Sequence, residues 1–319
     1  MSLAEQLDHE MVVTDRAMAT EVTIRVASTR GHRSADGAVG SALEVFHEVE
    51  RACTRFDPTS DLMRVNRSPG HWHRVPPVLY AALEEASRAH QRSAGRFDPR
   101  VIGDLVALGY DRTLPFTAGA VATPVGARAR RAHQPQAWRP RFRGGTREVL
   151  VGEAVDLGGI GKGLAVRWAA RRLSSVSSDH LVEAGGDCYC AGVAPDGDRW
   201  RVGVEDPAGG DQPLAVLAVS DRAVTTSSIR LRRWSAGSQP VHHLIDPRTG
   251  RPGGDGLVAV TVVGDDPARA EVTSKVLFLA GRTTIARAAR RHGIAAMWVD
   301  TNGELGVSPD MRRYVRWQR

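Results

Sequence analysis

The stretch Val155-Asp156-Leu157-Gly158-Gly159-Ile160-Gly161-Lys162-Gly163-Leu164-Ala165-Val166 brackets an aspartate with apolar residues. It then gives four glycines in six positions, one lysine and a helix-like tail through Trp168, Ala169 and Ala170. It reads as a buried strand end running through a glycine-rich turn into a helix. Glycine lets backbone approach a ligand closely, the first amides of a helix attract an anion, and Lys162 adds charge. A phosphate-bearing ligand suits such a turn. No Ser or Thr follows the lysine, so it is not a Walker loop. A tight strand-to-helix turn that binds nothing would leave the same pattern.

Outward from this loop, residues 22–26 alternate as a strand after Met18-Ala19-Thr20. Residues 40–53 and 77–93 carry helical spacing, and Pro77 suits a first turn. Thr59, Ser60 or Asp61 caps a short helix over 62–66. Residues 148–151 and 154–157 read as a hairpin feeding the loop, and 164–173 as a helix. A strand from His180 breaks at Glu183-Ala184-Gly185-Gly186-Asp187 and resumes to 193. Further strands are expected over 200–204, 214–219, 223–226, 242–245, 257–263 and, last, 295–299. Helices are expected over 267–280 and 284–292. Strands and helices mix without strict alternation, which implies an α+β fold with a mixed, mainly antiparallel sheet flanked by helices. The chain reads as one domain over 1–319, with an irregular Pro-, Gly- and Arg-rich insertion near 112–147.

The 319 residues are 42% hydrophobic and 25% charged, enough for a sizeable core. A net charge of +7 admits nucleic acid, a membrane surface or an anionic small molecule as partner. The excess is scattered arginine, which argues against nucleic acid. The three cysteines, Cys53, Cys188 and Cys190, make no disulfide framework and fit a reducing compartment. The first residues show no signal-peptide pattern, and no apolar run is long enough to span a membrane. A cytoplasmic protein is expected.

Asp57, Asp98, Asp187 and Asp246 sit in glycine- or proline-marked turns and suit Asx-type caps. Asp156 either caps the glycine turn or holds a ligand. Of the neighbours His242 and His243, alternation along a strand would put one on the ligand side, where it could act as a general base. Glu271 and Lys275 are spaced for an intrahelical ion pair. Cys188 and Cys190 share one strand face and read as small buried hydrophobes.

In combination, seven motifs resemble the ApbE family, the FAD:protein FMN transferases. They are Met18-Ala19-Thr20; Arg55-Phe56-Asp57-Pro58 with Ser60 to Asn66; Gly95-Arg96-Phe97-Asp98; the glycine loop from Asp156; Glu183 to Asp187; Val202 to Pro207; and His243-Leu244-Ile245-Asp246-Pro247-Arg248-Thr249-Gly250. The resemblance implies an α+β fold of that type. It implies Mg²⁺-assisted cleavage of the FAD pyrophosphate, transfer of FMN to a Ser or Thr hydroxyl of an acceptor protein, and release of AMP. By resemblance, Met18, Phe56, Arg96, Phe97, Asp98, Asp156, Lys162 and Ile245 contact FAD. Gly159, Glu271 and Ser274 fall at the metal site, and His243 activates the acceptor hydroxyl. The family's usual Ala-Asp-x-x-x-Thr reads here Ala270-Glu271-Val272-Thr273-Ser274-Lys275, placing a cation where the threonine ligand belongs. Thr226-Ser227-Ser228 stands where a Ser-Gly pair is usual. A flavin-binding protein without transfer, or a metal-dependent FAD hydrolase, are the alternatives.

Overall fold

The computed structural model describes residues 10–27, 35–112, 121–122 and 137–319. Its central sheet has eight strands: β1 (Met11–Ala17), β2 (Thr20–Val26), β3 (His180–Ala184), β4 (Asp187–Ala191), β5 (Arg222–Ser228), β6 (Leu257–Gly264), β7 (Ala295–Asp300) and β8 (Leu305–Val307). They lie side by side in chain order, and every neighbouring pair is antiparallel. The sheet is one meander, with most of the other elements inserted between its strands. The connection from β2 to β3 carries α1 (Ala35–Cys53), α2 (Asp61–Arg67), α3 (Pro77–Arg92), α4 (Ile102–Ala107) and α5 (Gly161–Leu173). That from β6 to β7 carries α6 (Pro267–Phe278) and α7 (Arg282–Arg291). The α+β expectation with a mainly antiparallel sheet is met.

The two faces of the sheet carry different partners, as the period of two along a strand requires. Val182 and Ala184 of β3 join a core with α1 and α5, whereas Leu181 joins a core on the other face. There a second sheet, Trp200–Val204, Ala215–Val219 and Val315–Gln318, covers the first. Cys188 and Cys190 both point into that second core, as expected. The residues after 299 add β8 and the strand Val315–Gln318, which the sequence reading did not separate from loop.

Two turns show how local chemistry shapes the site. The break between β3 and β4 is a hairpin turn, Gly185-Gly186, with φ of +58° and +86°. Glycine takes these angles without steric cost. The β1–β2 turn uses the same left-handed geometry at Met18 and Ala19, with φ of +55° and +57°. Non-glycine residues there cost about 1–3 kcal/mol each. Met18 is one of the predicted ligand positions.

The glycine loop departs from expectation in one respect. Residues 154–157 form no strand; residues 148–150 pair instead with Arg141–Arg143 and His73–Arg74. The approach to the loop is held by side chain and backbone. Asn66 donates to the Val155 carbonyl at 2.8 Å and accepts from its amide at 2.9 Å, and the Asp156 amide donates to Pro99 O at 2.7 Å. Val155 and Leu157 are buried there without laddering, so an apolar pair flanking a polar residue did not mark a strand. Most of the 112–147 insertion lies outside the described residues. Within it, Trp138 is buried and its indole N–H donates to Val151 O at 3.0 Å.

Gly163 lies where α5 packs tightly against the start of α6. A Cβ there would lie 2.7 Å from Ala268 Cα and from Pro267 O. Helix propensity alone would make Gly163→Ala stabilising by about 0.5–1 kcal/mol. Collision with backbone outweighs that gain, and a net loss of about 1–3 kcal/mol is expected. A lower urea midpoint checks it, with Gly145→Ala, where a Cβ meets nothing within 4 Å, as control.

Candidate active site

Two cavities, of about 110 and 420 Å³, adjoin each other beside the glycine loop. Phe56, Tyr110, Asp156, Gly158 and Arg232 line both. The first is walled by Arg96, Phe97, Asp98, Gly159, His243, Ile245 and Lys275, the second by Met18, Gly161 and Lys162. The predicted flavin contacts, Gly159 and His243 therefore line these two adjoining cavities. Glu271 and Ser274 lie behind the wall, almost fully buried.

Arg55 builds the seam between the cavities. Its guanidinium packs against the tilted rings of both Phe56 and Tyr110, 4.2 and 4.4 Å from centroids that are themselves 5.5 Å apart. It donates to Tyr110 O at 2.7 Å, and its Nε stands 3.3 Å from Asp156 Oδ2. Its second terminal nitrogen, Nη2, is buried with no partner among the described residues. A buried, unpaired guanidinium donor is costly unless a ligand accepts from it. Arg55, Tyr110 and Arg232 were not singled out from the sequence. Arg55 sat inside a quoted motif, but Arg232 belongs to a basic run that resembles any solvated loop.

Asp156 caps the glycine turn and also faces the cavities. Its Oδ1 accepts from the Gly158 amide at 2.8 Å, capping the glycine turn, while its carboxylate also lines both cavities. Asp98 is more committed. It caps the turn Pro99–Val101 through the Arg100 amide at 2.9 Å and pairs with the Arg100 guanidinium at 2.7 Å. His90 donates from Nδ1 to Phe97 O at 3.0 Å, because its Nε2 accepts from the Trp138 amide at 3.1 Å. This network fixes the strand of residues that presents Phe97 to the cavity. Asp57 and Asp246 cap turns as read, accepting from the Thr59 and Arg248 amides. Arg96 lines the cavity nearby, its pKa lowered by burial and by Arg248.

The two histidines separate cleanly, although not by strand alternation. The expected strand 242–245 is split into Gln239–His242 and Ile245–Asp246. His242 accepts from the Leu244 amide at 3.3 Å and sets its ring edge-on to Phe278, so it is structural. His243 lines the cavity, and its Nδ1 lies 3.2 Å from Arg232 O. A carbonyl only accepts, so Nδ1 carries the proton and Nε2 keeps a lone pair. Burial, then the cations Arg232 and Lys275, push its pKa well below the usual histidine value. It is a neutral imidazole at neutral pH.

Behind the glycine loop lies a buried ionic cluster. Glu271 Oε2 accepts from the Gly163 amide at 2.8 Å, capping α5, which has no acid of its own in its first turn. Glu271 Oε1 receives Lys275 Nζ at 3.1 Å and stands 3.9 Å from Lys162 Nζ. Lys162 also pairs with Asp187, whose other oxygen accepts from the Thr226 amide at 3.0 Å. The expected Glu271–Lys275 pair thus forms, but in the interior. Asp187 holds Lys162 rather than merely capping a turn. Burial would raise the Glu271 pKa, yet Lys275, Lys162 and the Gly163 amide together hold it below the ordinary carboxylate value. Burial, with Lys275 and Arg232 against the raising effect of Glu271, brings Lys162 down to about 8.

The donor set does not fit a divalent cation. Both oxygens of Glu271 are engaged. The Ser274 hydroxyl bonds Glu271 O at 2.9 Å and Ser227 Oγ at 2.7 Å. The Lys275 stem covers Gly159: its Cε and Cδ would lie 3.5 and 3.6 Å from a Cβ placed there. An ammonium occupies the side from which a metal would meet Glu271.

The chain belongs to the ApbE family, whose model matches residues 18–298. It is 30% identical over 275 residues to the FAD:protein FMN transferase of Rhodobacter capsulatus, covering 84% of this chain and 51% of that protein. The chain thus spans about half the length of that relative. The FAD:protein FMN transferase of Treponema pallidum is 26% identical over 282 residues, 83% of this chain and 77% of that one. Among solved structures, the ApbE protein of Thermotoga maritima superposes with a TM-score of 0.83 at 25% identity, covering 97% of this chain and 100% of that one.

Proposed function

We propose that this chain is an FAD:protein FMN transferase. The two adjoining cavities are the observation that carries the reading. They offer an aromatic surface at Phe56, Phe97 and Tyr110, cations at their seam, and one neutral histidine. An elongated ligand with a ring at each end and negative charge between matches that arrangement. The α5 N-terminus and Lys162 suit phosphate oxygens. Nη2 of Arg55, without a partner among the described residues, supplies a further donor.

In the reaction, the oxygen of the acceptor Ser or Thr attacks the phosphorus on the FMN side of the pyrophosphate. The bond to the AMP phosphate breaks and AMP leaves. His243 Nε2 accepts the hydroxyl proton. Its neutral state at rest makes it competent as a base, and arrival of the FAD anion raises its proton affinity.

Incubation with FAD and a flavin-acceptor domain is expected to add the mass of FMN to a Ser or Thr of that domain and release AMP in equal amount. AMP without an adduct would instead indicate hydrolysis, and FAD binding without AMP a flavin carrier. The nucleic-acid reading loses ground: Arg141 and Arg143 stack on Trp72, and Arg319 pairs with Asp206. No helix among the described residues is long and apolar enough to cross a membrane. Three unpaired, buried cysteines accord with a reducing compartment such as the cytoplasm.

Lys162 makes FAD affinity depend on pH. With its pKa lowered to about 8, it is charged below that pH and loses its proton above it. A bound pyrophosphate favours the ammonium, so binding takes up a proton in the alkaline range. FAD affinity is expected to be flat below about pH 8 and to fall by up to about tenfold per pH unit above it. Fluorescence titration across pH 6–10 checks this, and a flat profile would remove Lys162 from the phosphate site.

A further inference from the structure

The poor fit to a divalent cation coincides with a cation already built into the chain. Lys275 lines the first cavity with Gly159, Asp156 and His243. Its stem packs over Gly159 and its head is held by Glu271 at 3.1 Å. An ammonium has three donors, and Glu271 engages one. Lys162 flanks it across the same carboxylate, and Arg232 lines both cavities. With Glu271 and Asp187 as the counter-charges, these three cations leave one positive charge in surplus beside the seam.

We infer that the ammonium of Lys275, seated between Glu271 and Gly159, takes the place of a divalent metal at the pyrophosphate, so that this chain binds FAD and transfers flavin without one. The inference rests on the flavin reading above. Neutralising charge at the phosphate oxygens is what a metal contributes to such a displacement. Lys275, with Lys162 and Arg232, contributes the same charge from within the chain. The step remains balanced. The acceptor oxygen bonds to phosphorus, AMP departs with the electrons of the broken bond, and the hydroxyl proton goes to His243. No ion enters or leaves.

The test measures FAD affinity of the full chain by flavin fluorescence, in excess EDTA and in millimolar MgCl₂. AMP release with an acceptor domain is followed in parallel. Wild-type affinity and turnover are expected to be the same in both media. Lys275→Met should weaken FAD binding by about tenfold or more. Lys275→Arg, which keeps the charge, should retain metal-independent binding. Lys275→Thr should weaken binding in EDTA and recover it in MgCl₂. Thermal melts report whether each variant folds, and the arginine variant carries the test where the others do not. Wild-type binding that is lost in EDTA and restored by Mg²⁺ overturns the inference and leaves the flavin reading intact. No FAD binding in either medium overturns both.

Discussion

His243→Ala should lower flavin transfer by about 10²–10⁴-fold, the usual contribution of a positioned general base, with FAD affinity essentially unchanged. The expectation comes from tautomer and burial together. The carbonyl of Arg232 takes the Nδ1 proton, leaving the Nε2 lone pair as the only basic position on the ring. Burial first, then Arg232 and Lys275, disfavour the imidazolium. The ring is therefore deprotonated well below the ordinary histidine pKa of about 6.5. The acid limb of kcat/KM should accordingly fall below about pH 6.5, because the free enzyme keeps its base as pH drops through that value. Single-turnover transfer and fluorescence titration, run on the same preparation, separate the two effects. Loss of FAD binding in His243→Ala would make the residue a ligand contact. Full transfer would move the base elsewhere. His242→Gln is the control: its ring touches Phe278 and the Leu244 amide, and transfer should survive its replacement.

The histidine pair also shows what could be read from sequence. That one of the two lines the candidate site is legible; how they part is not. Alternation along a strand was expected, but the chain leaves the ladder between His242 and Ile245, and the residues part because the backbone turns. Elements with strong periodicity were located well. The helix of residues 77–93 appears as Pro77–Arg92 and the strand of 257–263 as Leu257–Gly264. Two kinds of feature escaped. Short strands completed by distant partners carry little local signal, as with Val315–Gln318 laid on Ala215–Val219. Residues made functional by burial escaped too. Arg232 and Arg55 look like any surface arginine until folding places one on both cavities and the other against two aromatic rings. Spacing showed that Glu271 and Lys275 could pair, but not that the pair would be interior, because the packing of α6 on α5 decides its depth.

That depth sets the second large effect. Glu271→Ala is expected to destabilise the fold by about 3–5 kcal/mol, the range for a buried ion pair stripped of one partner. An exposed pair with the same spacing would contribute only a few tenths. Glu271 is 1% exposed and serves three groups: the Gly163 amide, Lys275 and Lys162. Alanine leaves the amide at the start of α5 without its acceptor and Lys275 without its counter-charge. Lys162 keeps Asp187. Glu271→Gln, which retains an oxygen for the amide but no charge, should lose less. The discriminating experiment adds Lys275→Met to Glu271→Ala. If the cost lies mainly in an uncompensated buried ammonium, the double variant recovers part of the lost stability, and the coupling appears in a double-mutant cycle of urea midpoints. If it lies in the helix cap, the double variant is no better than the single. The same double variant lacks the cation over Gly159, so it should refold towards wild-type stability yet still bind FAD weakly. Stability and ligand affinity would then move in opposite directions, as expected of a cluster that the fold must neutralise and the ligand must find charged.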